Sequence, residues 1–183
     1  MLKTISKDQL LQAIQEFAAI EAVGTSAVRG QPAKTKKVIQ KVLMAADLNA
    51  IPRRSQPKFE KWRNQLTECV QRKLPNPDKP WGIARKAVNL FLRDCFYNHY
   101  LREEYGLAAV EQWLEVPLDG VVSRAFCREA GRGELPRWRG LGRVTPGDSV
   151  RFQEFAKWLA GRVGLQARIF LDNVVWLRNR TSQ

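Results

Sequence analysis

Two segments bring together residue types that can make and break bonds. In "WGIARKAVNLFLRD", Lys86 lies in the second turn of an apolar helical run, away from the side marked by Val88, Phe91 and Cys95. The positive end of a helix and the neighbouring Arg85 both disfavour an ammonium there, which favours the free amine that a nucleophilic lysine needs. In "LEVPLDGVVSRAFC", Asp119 opens another apolar helical run just after Pro117. A carboxylate so placed can steady positive charge on a reacting carbon or take a proton from an amine. Each residue also has an ordinary explanation that the sequence leaves open. Asp119 can simply satisfy the orphan N–H groups of a helix start, and Lys86 can be a solvated surface lysine.

Other chemistries have little material. His99 is the single histidine, and Cys69, Cys95 and Cys127 are isolated thiols without CxxC spacing. Neither a zinc site nor a Ser/His or Cys/His pair is well supplied, so no metal is expected and the cysteines read as reduced core residues. Lysine and arginine total 31 against 18 acids, a net charge of +13. A field of that sign favours a polyanionic partner, the alternative being a merely basic, solubilising surface. No uncharged apolar run reaches the ~18–20 residues that span a bilayer, and the N-terminus is not signal-like. The expectation is a soluble cytoplasmic monomer without a membrane partner, associated with the nucleoid if the source is prokaryotic.

The elements that must position these residues are helices. Apolar residues recur at helical spacing and period-two alternation is almost absent, which predicts an all-α protein. Its 183 residues suffice for one core, or for two small lobes sharing one. Helices are predicted over 6–22, with Leu10, Leu11, Ile14, Phe17 and Ala18 on one side, and over 33–46 and 56–73. The prolines of "LPNPDKP" stop the third and mark the best internal boundary. The longest helix is predicted over 81–104, with Ala84, Val88, Phe91, Cys95 and Tyr100 in its buried stripe. Shorter helices follow over 108–114, 119–130, 148–162 and 167–178, about eight in all. Possible lobes are 1–74 with the C-terminal helices, and 81–145.

Together "ARKAVNLFLRD" and "VPLDGVV" resemble the lysine and aspartate elements of the helix-hairpin-helix DNA glycosylase superfamily. The closest likeness is to its archaeal-type 8-oxoguanine branch, whose lysine-to-aspartate interval is long; here it is 33 residues. In "FLDNVVWL", Asp172 and Trp176 stand four apart on one helix face, as that branch arranges its base-binding acid and stacking aromatic. The resemblance implies a two-lobed helical bundle with a cleft, of divergent helix-hairpin-helix type. It also implies excision of an oxidised purine from duplex DNA without a cofactor, with Lys86 as nucleophile and Asp119 as the catalytic acid. Gln31, Pro117, Asp172 and Trp176 would contact the extruded base, with Trp62 or Trp81 as a second stacking ring. Arg29, Lys34, Lys36, Lys37 and Arg85 would hold the phosphates. Departures from the pattern are the missing "GVG" hairpin before Lys86 and the glycine in "PLDG" where a threonine is usual.

For this chemistry Lys86 and Asp119 must meet at a cavity large enough for a nucleobase. The alternatives are a non-catalytic helical nucleic-acid-binding protein that keeps the fold, and a basic protein-interaction module.

Overall fold

A computed structural model describes residues 4–24, 28 and 30–181. Among them every regular element is helical: α1 (Lys7–Ala22), α2 (Thr35–Met44), α3 (Gln56–Lys73), α4 (Trp81–Tyr97), α5 (His99–Glu104), α6 (Gly120–Ala130), α7 (Pro146–Arg162) and α8 (Leu171–Thr181). Short 3-10 turns cover Leu107–Trp113, Leu141–Arg143 and Arg168–Phe170. No helix among the described residues is long and apolar enough to cross a membrane.

Local chemistry fixes most ends. Ser6 and Gln9 form a reciprocal capping box on α1, as Thr145 and Asp148 do on α7. A proline in the first turn of α3 suits a position with no intrahelical N–H bond to lose. The helix expected over 81–104 is broken at Asn98, whose side chain accepts from the Leu101 N–H and starts α5 anew. The break turns Tyr100 outward to 59% exposure, so it leaves the predicted stripe, while Ala84, Val88, Phe91 and Cys95 are wholly buried. On α1 the packed face is Leu11, Gln15, Ala18, Ala19 and Ala22, whereas Leu10 and Phe17 face solvent. Small side chains let α1 pack on α4, and that packing outweighs the size of the Leu10 and Phe17 side chains turned away. Of the three cysteines only Cys95 is core; Cys69 is exposed and Cys127 half-buried.

The apolar interior is divided in two. One cluster joins α1 through α5 with Leu107, Val110, Leu114, Ala167 and Ile169; the other joins α6, α7 and Leu171 of α8 with Val116 and Leu118. The expected lobes, 1–74 with the C-terminal helices and 81–145, are redrawn: α4 packs into the first cluster, where Ala167 and Ile169 join it, and α8 packs against α6. Between the clusters runs a buried strap, residues 114–118. Its backbone lacks helical partners, so side chains supply them. Gln153 accepts from the Val116 N–H at 3.0 Å and donates to the Val116 carbonyl at 2.8 Å. Arg168 donates to the Leu114 carbonyl at 2.9 Å, and Arg63 to that of Trp113 at 2.9 Å. The strap ends at Asp119, and its satisfied backbone is what sets that residue in place.

Candidate active site

Lys86 and Asp119 meet across the seam between the two clusters. Lys86 Nζ stands 3.5 Å from Asp119 Oδ2, with the side chains 7% and 15% exposed. Asp119 divides its oxygens. Oδ1 accepts the Val121 and Val122 N–H groups at 2.8 and 3.0 Å, capping α6, while Oδ2 faces the amine. The helix-start explanation and the partnered one therefore both hold, on different atoms. The capping bonds fix the carboxylate's orientation, and a fixed carboxylate beside an amine can accept its proton or stabilise a cation forming next to it. Lys86 is not a solvated surface residue; it is buried.

Asp172, the second residue of α8, is 2% exposed and forms a close ion pair with Arg93, one face of α4 along from Lys86. Burial raises the Asp172 carboxyl above the ordinary range and Arg93 opposes this, with the charges of Asp119 and Lys86 also felt there. Only Oδ2 of Asp172 has a bond to another described residue, which leaves Oδ1 as an acceptor. Tyr97, one turn beyond Arg93, lies at 15° to the Phe170 ring and accepts from the Asn173 amide at 3.2 Å. Trp176 is half-buried against the second cluster, and Pro117 is buried in the strap.

Other expectations are corrected. Arg85 is not a phosphate ligand: it is buried, donates to both Glu115 oxygens at 2.9 and 3.1 Å, and reaches Asn64 and Thr67. A guanidinium so occupied has no donor face for DNA. Arg63 joins Glu115 at 2.8 Å and Asn89 donates to it at 3.0 Å. Despite burial, which raises it, the Glu115 carboxyl is held down at about 2 by Arg63 and Arg85. Gln31 is tied to Asn76 of the proline segment at 2.8 Å, and no bond joins it to the Lys86–Asp119 pair. Lys34 and Lys37 are exposed and Lys36 half-exposed around the start of α2, while Arg29 lies outside the described residues. Trp62 stacks on Phe59 at the edge of the first core.

The expected nucleobase-sized cavity is not open. The space bordered by Trp81, Lys86, Asn89, Leu118, Leu141 and Val144 measures about 10 Å³, room for a single water. The cause is the turn Leu141–Arg143 lying flush on α4: a Cβ at Gly82 would fall 2.2 Å from the Leu141 carbonyl oxygen. Trp81 borders this space, with the Arg85 guanidinium 5.4 Å from its ring centroid. On the far side of the same turn a cavity of about 420 Å³ opens, and Val144 borders both.

Arg93, Glu115 and Asn89 were missed by sequence reasoning. Arg93 sits seven residues after Lys86 on the same helix face, a spacing that could have found it. Glu115 is a lone acid within "WLEVPL", a signal for a buried, paired carboxylate. Nothing in spacing announces that its partners are Arg63 and Arg85. No family model, curated protein or solved structure matches the chain.

Proposed function

We propose that the chain is a DNA glycosylase with apurinic/apyrimidinic lyase activity, taking an oxidised purine, 8-oxoguanine foremost, from duplex DNA. The observation that carries the reading is the 3.5 Å approach of Lys86 and Asp119, residues brought from two helices to one seam. Asp119 receives a proton from the lysine ammonium. The freed amine attacks sugar C1′, and the C1′–N bond breaks with its electron pair leaving on the base, which is then protonated. Ring opening gives a Schiff base between Lys86 and the sugar. The imine acidifies C2′, loss of that proton expels the 3′ phosphate, and the strand is cut. Asp119 passes the proton it took to the departing base and, a carboxylate again, offsets the positive charge left on the sugar. These steps require no cofactor.

A base within a duplex must be extruded to be reached, at a cost of a few kcal/mol. It would be received beside Lys86 once the Leu141–Arg143 turn lifts from Gly82 and joins the two spaces that Val144 separates. Asp172 Oδ1 would accept an N–H from the purine edge, and Trp176 or Trp81 would offer a stacking face.

Borohydride reduction with duplexes each carrying one modified base is the test. A covalent adduct is expected for an oxidised purine and none for Lys86→Gln; an adduct persisting in that variant, or no adduct from the wild type, would overturn the assignment. A second reading, a non-catalytic helical nucleic-acid-binding protein, is favoured by the closed space at Lys86. Lesion-indifferent binding without base release would decide for it.

A further inference from the structure

The strongest unassigned feature is the cavity beyond the turn that covers Lys86. Three exposed arginines, Arg137, Arg139 and Arg143, converge on its rim within seven residues of chain. No ion pair or hydrogen bond engages their guanidiniums among the described residues. Asp148 borders the same space; its Oδ2 caps α7, accepting from the Thr145 N–H and hydroxyl at 3.1 and 2.8 Å, and the three arginines outnumber its charge. The rim thus presents three guanidiniums around a space of about 420 Å³, a size and sign suited to phosphodiester groups. Trp138 and Phe152 form its floor, packed edge to face at 6.2 Å. The rim shares Val144 with the wall of the Lys86 space, so a backbone held there would flank a nucleotide presented to the amine.

We infer that Arg137, Arg139 and Arg143 form the principal grip on the phosphate backbone of duplex DNA, in place of the lysines around the start of α2. This deepens the proposed function by naming the surface that holds the substrate. Phosphate contacts position a duplex without reading its sequence, and each one neutralised releases a counterion, so the grip is measurable in the salt dependence of binding alone.

The experiment is titration of the full chain with an undamaged fluorescent duplex across a salt series. Wild type is expected to bind with a steep dependence of log K on log salt. Arg137→Ala/Arg139→Ala/Arg143→Ala should lose about 0.9 from that slope per contact removed, roughly 2.7 for three, and bind at least tenfold more weakly. The triple arginine-to-lysine variant, which keeps the charge, should retain the slope, and Lys34→Ala/Lys36→Ala/Lys37→Ala should lose less of it. An unchanged slope in the arginine-to-alanine variant at an unchanged melting temperature, or no binding by wild type at low salt, would overturn the inference. Failure of base release by wild type leaves the slopes as they are, so the two readings fail separately.

Discussion

A single carboxylate with two tasks can be separated by substitution. Asp119→Asn keeps an oxygen for the Val121 and Val122 N–H groups but gives up the charge facing Lys86. Thermal unfolding should therefore change by no more than about 1 kcal/mol, while single-turnover adduct formation should fall by at least 10²-fold. Asp119→Ala loses the cap as well and should cost about 1 kcal/mol more. If both substitutions slow the reaction only as much as they destabilise the fold, Asp119 is a cap and nothing else. The sequence displayed both tasks at this position without choosing, since a helix start after proline and an acid for catalysis look alike in one dimension. The four-residue spacing of Asp172 and Trp176 showed only that they share one helix, α8. The clamp of Asp172 by Arg93 was not drawn from the sequence: standing seven residues after Lys86 sets Arg93 on that face of α4 but does not name a partner 79 residues on.

Among the elements, α4 carries the most and was read best at its start. The stop at "LPNPDKP" fixed the end of α3 and the beginning of α4, while the break at Asn98 was hidden inside a run of residues that all tolerate a helix. Gly82 in the first turn of α4 has the backbone of residue 141 directly against it. Gly82→Ala should raise intrinsic helix propensity by ~1 kcal/mol and yet lift the Leu141–Arg143 turn away. Hydrogen exchange across 139–145 should quicken, and Lys86 should react faster with an amine reagent than in wild type. Unaltered exchange and labelling would show that the turn is not what shields the amine.

At the scale of the whole molecule, helix content followed from periodicity alone, but the division of the interior did not. The strap at 114–118 reads in sequence as a break between predicted helices, and its backbone bonds come from the distant residues 153 and 168. Glu115 within it holds α3 to α4 through Arg63 and Arg85. Its folded value of about 2 lies below the ordinary 4.5, so its contribution to stability is present above pH 4.5 and is lost as pH falls toward 2. Glu115→Gln should cost about 3–5 kcal/mol at pH 7, since it leaves buried guanidiniums uncompensated, and should flatten the acid limb of stability in urea titrations from pH 5 to 2. An acid limb as steep as in wild type would place the sensitivity elsewhere.

The strap has one more implication. The amine belongs to one interior and its acid to the other, so the gap between them is inherited from how two packed bodies fit, like the clearance between a key and its ward. Wear anywhere along that fit would be felt first in the spacing of that pair, and so in the proposed reaction, well before either body came apart.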